Sequence, residues 1–323
     1  MADDTSSILD KPEDKMHTHK TISPLLNVIT HAIKRDLYKS INPTLFDVSL
    51  RDGIQNADPS KYDTKTKKHI FHHIFDRYSP KKIEIGSMAS PKVLPIMSDT
   101  VNLHEYAMNY IDQKESLMVP YVLIPNNKNL QNALCNGMYN FSFITSVSNA
   151  FQLKNTRNTL GQAKVELKLM EHSLNCYRRT HNRKLYISCI NECPLAGKID
   201  NDFVVKEILY YHTNYDFSEL CLSDTMGTLS FEDFEYIVDT ILYFGVPPSK
   251  ISLHLHVSSV NRPEIKQILY YCFGKQINKF DVSTLTEGGC SVTMGESAPS
   301  NLTYDMFYET LDSYIENKLL YQP

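Results

Sequence analysis

Short apolar runs alternate with longer amphipathic stretches along the chain, and this alternation restricts the possible folds more than any other feature of the sequence. Each intervening stretch is long enough to carry the chain back, commonly as a helix, to a strand parallel to the preceding one. Eight strands joined in this way predict a (β/α)8 TIM barrel, for which about 250 residues is typical. The predicted strands are residues 45–50, 82–85, 121–124, 141–145, 185–189, 219–222, 252–256 and 279–282, and the predicted helices include 64–78, 160–181, 202–211, 231–244 and 263–273.

A doubly wound open sheet is the alternative fold, because periodicity cannot show whether the strands close into a barrel. Nucleotide-binding members of that class carry a G-x-G-x-x-G motif after the first strand or a phosphate-binding Walker loop. The sequence has neither motif, so the barrel is the preferred prediction.

Composition and charge exclude several classes of protein. Hydrophobic residues make up 42% of the chain and charged residues 22%, which is ordinary usage for a globular protein. The formal net charge of -4 argues against a nucleic-acid protein with a strongly basic surface, and the chain has no run of 18 apolar residues that would cross a membrane. We therefore expect neither a nucleic acid nor a membrane as a partner.

The beginning of the chain and its cysteines bear on domain organisation and compartment. The first twenty residues lack the apolar segment of a secretory signal and the arginines of a transit peptide. We expect residues 1–22 to be a disordered leader and residues 23–323 to form a single barrel domain. The seven cysteines are odd in number and widely spread, which does not indicate a disulfide framework. The expected compartment is the cytoplasm.

Polar side chains collect where the predicted strands end. In a TIM barrel the carboxyl ends of the strands meet at one face, where enzymes with this fold have their active sites. These side chains are therefore predicted to lie together. They are Arg51-Asp52-Gly53 after the first strand, Glu84 at the end of the second, Asp224 after the sixth, His254 and His256 at the end of the seventh, and Cys290 in the loop after the eighth.

A metal site is predicted from His254 and His256. The two are separated by two positions, so on one strand their side chains face the same way. Two imidazoles and a carboxylate such as Asp52 offer nitrogen and oxygen ligands, which suit a divalent cation, with Mg or Mn preferred here. The alternative is a pair of packed or solvent-facing histidines that bind no metal.

Two further residues have alternative interpretations of the same kind. Arg51 beside Asp52 is consistent with a structural ion pair at a strand end as well as with a catalytic charge. Cys290 follows two glycines, which permit a tight turn and close approach to a ligand. A thiol in such a loop can be exposed and reactive, or it can be an incidental small residue.

Together these segments resemble the 3-hydroxy-3-methylglutaryl-CoA lyase family, one of the metal-dependent lyase and synthase barrels. The stretch DVSLRDGIQN, residues 47–56, looks like the first-strand motif of that family. Further matches follow in the same order: Glu84 with the SPK segment 90–92, residues 189–194, residues 222–227, His254 with His256, and residues 288–290. The SPK segment and the glycine-cysteine loop are specific to the lyase branch, because the related Claisen condensation enzymes lack that cysteine.

The sequence also departs from the family pattern. Val257-Ser258 stands where the family usually has Asp-Thr, and Ser291 stands where proline usually follows the cysteine. The stretch before Asn301, which matches the metal-contacting asparagine of the family, is two residues longer than usual. Asn149 occupies a position where the lyase usually has glutamate.

The resemblance implies cleavage of 3-hydroxy-3-methylglutaryl-CoA, or of a related hydroxyacyl-CoA, to acetyl-CoA and acetoacetate. It also implies an acyl-CoA partner, and a homodimer is the expected assembly. The implied metal ligands are Asp52, His254, His256 and Asn301; the implied catalytic residues are Arg51, Cys290, Asp52 and Glu84; and Arg51, Gln55 and Asp224 are implied to contact substrate. Arg51 would stabilise the enolate oxygen, Cys290 would protonate the carbanion, and the initial base would be Asp52 or His254.

Three other functions remain open at this point. A related aldolase or Claisen-type carboligase would use the same metal and arginine without needing Cys290. A catalytically silent barrel would act as a binding protein. A CoA-ester binding protein would bind thioesters without turning them over.

Overall fold

The computed structural model of the chain describes residues 22–177, 180–285 and 299–320. Its strands, in chain order, are β1 (Thr44–Asp47), β2 (Lys82–Ser87), β3 (Val119–Ile124), β4 (Asn140–Ser146), β5 (Asn182–Ser188), β6 (Glu192–Cys193), β7 (Gly197–Lys198), β8 (Glu219–Ser223), β9 (Ile251–His254), β10 (His256–Val257), β11 (Lys279–Val282) and β12 (Ser300–Asn301). Its helices are α1 (Ile22–Ile41), α2 (Thr64–Arg77), α3 (Thr100–Gln113), α4 (Asn127–Cys135), α5 (Asn149–Thr156), α6 (Leu160–Asn175), α7 (Asn201–Asn214), α8 (Phe231–Tyr243), α9 (Arg262–Gly274) and α10 (Tyr304–Leu320).

Eight of these strands form a closed parallel barrel in the spatial order β1-β11-β9-β8-β5-β4-β3-β2. The first strand, β1, pairs in parallel with both β2 and β11, which closes the sheet on itself. The prediction of a (β/α)8 barrel is confirmed, and the open-sheet alternative is excluded.

The helices begin where the sequence supplies a side chain that accepts a hydrogen bond from the first turn. Asp63, Asn126, Ser148, Asp200 and Ser230 each accept a backbone N–H two or three residues into the helix that follows. At α6, Thr159 and Gln162 form a reciprocal capping box. Such caps satisfy amide groups that have no partner within the helix, so each loop passes into its helix at a defined residue.

Three of the predicted element bounds were wrong in ways that affect the site. The first strand, β1, ends at Asp47 rather than at residue 50, so Arg51 and Asp52 follow a turn. Strand β2 extends to Ser87, so Glu84 lies in the middle of the strand rather than at its end. The predicted strand 252–256 is divided, because β9 ends at His254 and His256 begins the separate strand β10. Outside the site, the predicted helix 160–181 ends at Asn175.

Charged and polar side chains occupy the interior of the barrel. Along β5 successive side chains alternate between the two faces of the sheet. Leu185 and Ile187 are buried on one face, while Lys184 and Tyr186 on the other contact Asp281 and Glu84. A polar network therefore runs through part of the barrel interior, beside apolar side chains such as Phe46 and Leu123, and continues to the carboxyl ends of the strands.

The chain divides into two compact units, and the site described below lies in the larger one. Of the described residues, those between 41 and 314 form that unit, and residues 22–40 with 315–320 form the other. In the smaller unit, Lys34 Nζ donates to Glu316 Oε1 at 2.8 Å. Within the ranges that the structure describes, no helix combines the length and the apolar character needed to cross a membrane.

Candidate active site

Asp52, His254 and His256, here called the metal triad, converge at the carboxyl end of the barrel. The Nε2 atoms of His254 and His256 each lie 3.7 Å from Asp52 Oδ2. One potential ligand atom from each residue lies within 4.8 Å of the others, and all three residues are buried. A carboxylate and two imidazoles at this spacing form a candidate site for a divalent metal ion.

The two histidines converge for a reason that differs from the predicted one. They lie on different strands, because the backbone changes partners between them. The carbonyl of His254 accepts from the Asp224 amide at 3.0 Å, whereas the carbonyl of Leu255 accepts from the Leu302 amide at 3.0 Å. The prediction that both imidazoles face one site agrees with the geometry, although they do not share a regular strand.

Each histidine is oriented through its Nδ1 atom. His254 Nδ1 lies 3.2 Å from Asp281 Oδ2, and His256 Nδ1 lies 2.7 Å from the backbone oxygen of Asp224. Both acceptors favour a proton on Nδ1, which leaves the lone pair of Nε2 directed toward Asp52. His256 Nε2 is buried and has no hydrogen-bond partner among the described residues. A buried acceptor of this kind, within the nitrogen and oxygen donor set of the metal triad, fits a bound divalent cation.

Asn301 reaches the metal triad through a short strand pair. β10 and β12 run antiparallel, with His256 opposite Asn301. The Asn301 Nδ2 atom donates to Asp52 Oδ2 at 3.0 Å. Despite the longer segment before it, Asn301 therefore lies at the predicted place, with its amide nitrogen toward Asp52. Ligation of a metal by Asn301 would require the amide to turn and present its oxygen.

Arg51 is a buried cation beside the metal triad. Its Nη1 donates to Asp52 Oδ1, and its Nε lies 2.5 Å from Glu84 Oε2. The guanidinium also lies 4.9 Å from the ring centre of Tyr186. Burial alone would lower the pKa of Arg51, but the charges of Glu84 and Asp52 raise it well above its ordinary value. The positive charge is permanent and held in one orientation.

Glu84 holds Arg51 from inside the barrel. Its Oε2 atom accepts from Arg51 Nε and, at 3.1 Å, from the hydroxyl of Tyr186. Its Oε1 atom is buried and has no hydrogen-bond partner in the part of the chain that the structure describes. Glu84 therefore orients Arg51, and it does so from the middle of β2 rather than from the predicted position at the end of a strand.

Asp52 carries a negative charge in the centre of this arrangement. It begins a short 3-10 turn, Asp52–Ile54, directly after Arg51. Burial by itself would raise the pKa of the carboxyl, but the guanidinium of Arg51 beside it holds that pKa well below its usual range. Gln55 Nε2 donates to Asp52 Oδ1 at 2.7 Å and lines the same cavity. The predicted residues of the first-strand motif are thus brought together.

A cavity of about 170 Å³ opens beside the metal triad. Its lining includes charged and polar side chains, namely Arg51, Gln55, Tyr186 and the two histidines. It also includes a set of apolar side chains: Val93, Leu94, Leu123, Pro125, Ile144 and Phe151. A pocket lined by both kinds of side chain suits a ligand that carries polar groups on a hydrocarbon chain.

Asp224, which is predicted to contact substrate, does not line this cavity. Asp224 is 1% exposed, and its carboxylate oxygens accept the backbone amides of Thr228 and Leu229, each at 3.2 Å. Its carboxylate thus stabilises a loop, while its backbone oxygen orients His256; the predicted contact with substrate does not follow from this geometry. Cys290 lies outside the described residues, so its role stays a prediction.

Sequence reasoning missed three residues that support the site: Lys184, Tyr186 and Asp281. Asp281 contacts His254, Lys184 forms an ion pair with Asp281, and Tyr186 contacts both Glu84 and Arg51. Part of a signal was present in the sequence, because Asp281 stands between the apolar residues Phe280 and Val282 of a predicted strand. Charged residues are rarely buried unless they are paired.

The chain is similar to known proteins in sequence and in fold. A family model described as HMGL-like matches residues 42–259. Hydroxymethylglutaryl-CoA lyase YngG of Bacillus subtilis is 26% identical over 267 residues, covering 82% of this chain and 84% of that protein. The mitochondrial hydroxymethylglutaryl-CoA lyase of Arabidopsis thaliana is 25% identical over 290 residues, covering 87% of this chain and 56% of that protein. An HMG-CoA lyase from Acinetobacter baumannii, solved with coenzyme A and 3-methylmalate, superposes with a TM-score of 0.72 at 21% identity and covers 87% of this chain and 90% of that one.

Proposed function

The chain belongs to the HMGL-like family and is a carbon–carbon lyase of that superfamily, and we propose that it cleaves 3-hydroxy-3-methylglutaryl-CoA or a related hydroxyacyl-CoA. The products of the proposed reaction are acetyl-CoA and acetoacetate. The observation that carries the proposal is the metal triad, with the buried guanidinium of Arg51 beside it at the edge of one cavity.

The proposed cofactor is Mg²⁺ or Mn²⁺. Asp52, His254 and His256 would hold the ion, with Asn301 as a further ligand once its amide oxygen faces the site. When bound, a divalent cation would polarise the oxygen atoms of the substrate and lower the pKa of its hydroxyl group. The buried, unpartnered Nε2 of His256 supports this assignment.

Cleavage begins with loss of the proton of the tertiary hydroxyl. Of the two expected bases, Asp52 and His254, the carboxylate of Asp52 is the proposed one, because the only lone pair of His254, on Nε2, would be taken by the ion. As the carbonyl of acetoacetate forms, the adjacent carbon–carbon bond breaks. Its electron pair passes to the thioester fragment, which becomes an enolate.

Arg51 is proposed to stabilise that enolate. The two carboxylates of Asp52 and Glu84 hold the guanidinium in place before the reaction begins. A charge that is already oriented stabilises a developing oxyanion without reorganisation, and removal of one such donor typically costs about 10²–10³ in rate. The side chain of Tyr186 supports this orientation from the other side.

Cys290 is proposed to complete the reaction by donating the proton of its thiol to the carbanion carbon of the enolate. That step yields acetyl-CoA and leaves a thiolate, which must regain a proton before the next turnover. A general acid in this position needs its proton present when the bond breaks. The proposal for Cys290 rests on its place in the glycine-cysteine motif.

The proposed partner is an acyl-CoA thioester, and the proposed compartment is the cytoplasm. The apolar side chains that line the cavity support a ligand with a hydrocarbon chain. The six cysteines among the described residues are free thiols, which supports a reducing compartment.

A substrate panel tests this function. Purified protein is freed of metal, supplied with Mg²⁺ or Mn²⁺, and incubated with 3-hydroxy-3-methylglutaryl-CoA, other 3-hydroxyacyl-CoA thioesters, and free hydroxy-oxo acids. We expect metal-dependent release of acetyl-CoA and acetoacetate from the first compound. Cleavage confined to the free acids would indicate an aldolase, and thioester binding without products would indicate a binding protein. Either result would overturn the proposal.

A further inference from the structure

The two histidines of the metal triad are oriented by different kinds of group. The backbone oxygen of Asp224 accepts from His256 Nδ1, whereas the side-chain carboxylate of Asp281 faces His254 Nδ1 at 3.2 Å. A backbone carbonyl is present whatever the side chain, but a carboxylate inside a barrel strand is specific to its position. The orientation of His254 therefore depends on the identity of residue 281.

Asp281 is itself held in place by a buried cation. It lies on β11, is 2% exposed, and accepts from Lys184 Nζ through Oδ1. Its other oxygen, Oδ2, faces His254 and lies 3.7 Å from the Cys221 thiol. The two oxygens thus have different partners, one toward the interior lysine and one toward the metal triad. Rotation of the carboxylate out of its present plane would break both contacts.

A buried ion pair is weak evidence of a contribution to stability. Removing two charges from water costs several kcal/mol per ion. Replacing a buried ion pair by well-packed apolar residues therefore often leaves the stability unchanged or increases it. Lys184, which is 1% exposed, also lies 3.3 Å from Glu219, and Glu219 in turn pairs with Lys82 at 2.7 Å. The network therefore has one branch, through Asp281, that reaches the metal triad and another, through Glu219, that leads away from it.

We propose that Asp281, held by Lys184, is a positioning residue that keeps the proton of His254 on Nδ1 and so presents the Nε2 lone pair for metal binding. A carboxylate that accepts the Nδ1 proton fixes the tautomer and ring orientation and increases the basicity of the ligand atom. Lys184 keeps the carboxylate from rotating away from the imidazole. This inference rests on the proposed metal site. It makes the metal affinity of that site depend on Asp281, a residue outside the metal triad.

A matched pair of variants tests the inference. Asp281→Asn and Glu219→Gln each replace a carboxylate that pairs with Lys184 by an uncharged amide, but only Asp281 contacts a histidine. Calorimetric titration of the metal-free full-length protein with Mn²⁺ is expected to show 10- to 100-fold weaker binding for Asp281→Asn and an affinity near that of the wild type for Glu219→Gln. Equal weakening in both variants, or none in Asp281→Asn, would overturn the inference. If the wild type itself bound no Mn²⁺, the proposed function would fail instead.

A second measurement on the wild type does not depend on how well a variant folds. Proteins labelled with ¹⁵N-histidine report which ring nitrogen carries the proton, and the His254 signals are assigned by their loss in His254→Asn. In the metal-free wild type we expect His254 to carry its proton on Nδ1. A proton on Nε2 would refute the positioning role of Asp281.

Discussion

Replacing Arg51 with glutamine separates transition-state stabilisation from structural support. The guanidinium lies between two buried carboxylates, Asp52 and Glu84, whose side chains are 5% and 0% exposed. Removing one partner of a buried ion pair destabilises a protein by about 3–5 kcal/mol. Because Arg51 serves two carboxylates, we expect Arg51→Gln to lower the free energy of unfolding by an amount near the upper end of that range.

We expect Arg51→Gln also to lower kcat, independently of the loss of stability and by a comparable free energy. The loss of one preorganised oxyanion donor lowers kcat by about 10²–10³, which corresponds to roughly 3–4 kcal/mol. KM is expected to change less, because the charge matters most when the enolate forms. Steady-state kinetics with 3-hydroxy-3-methylglutaryl-CoA, at a temperature where urea titration shows the variant folded, measures both constants.

Lys67 offers a matched control for the structural part of the effect. It is a buried cation, 3% exposed, that pairs with Asp99 at 2.5 Å and does not line the cavity. Lys67→Gln is expected to lower stability while leaving kcat of the folded protein unchanged. A normal kcat with only a raised KM in Arg51→Gln would show that Arg51 merely anchors substrate. An equal loss of kcat in Lys67→Gln would show that stability, not charge, governs the rate.

Three further substitutions test other parts of the site. His256→Ala should weaken Mn²⁺ binding in a calorimetric titration and abolish acetoacetate formation with the circular dichroism spectrum retained; unchanged affinity would remove His256 from the ligand set. Asp224→Asn should lower the free energy of unfolding, measured in urea, by about 1–3 kcal/mol, because the buried carboxylate accepts two backbone amides. KM should stay nearly constant. A large rise in KM at constant stability would instead show that the carboxylate contacts the substrate. Cys290→Ser should nearly eliminate acetoacetate formation and leave Mn²⁺ binding intact, and near-native turnover would favour a carboligase relative over a lyase.

The barrel and most of the site were predictable because the relevant signals are local in the sequence. Alternating apolar and amphipathic segments specify parallel strands and their crossovers, and closure then brings the strand ends to one face. This rule predicts that Arg51 and Asp52, which come after the first strand, lie at that face. His254 and His256 do as well, although the bond from the Leu302 amide to the Leu255 carbonyl divides their strand.

What sequence reasoning missed depends on contacts between distant strands. Lys184 and Asp281 are 97 positions apart and meet only because β5 and β11 face each other across the barrel interior. The role of Asp224 was obscured for a similar reason, since its carboxylate caps a loop that periodicity does not reveal. An isolated charge within an apolar strand indicates a buried partner, but not which partner it is.

The most direct test of the central claim is product formation by the wild-type protein under metal control. Metal-free protein is mixed with 3-hydroxy-3-methylglutaryl-CoA, and acetyl-CoA and acetoacetate are measured before and after addition of Mn²⁺. The account predicts no products before the metal is added, and afterwards equal amounts of both, with a chelator stopping the reaction. Products formed at the same rate without metal, or their absence in the presence of bound Mn²⁺, would contradict it.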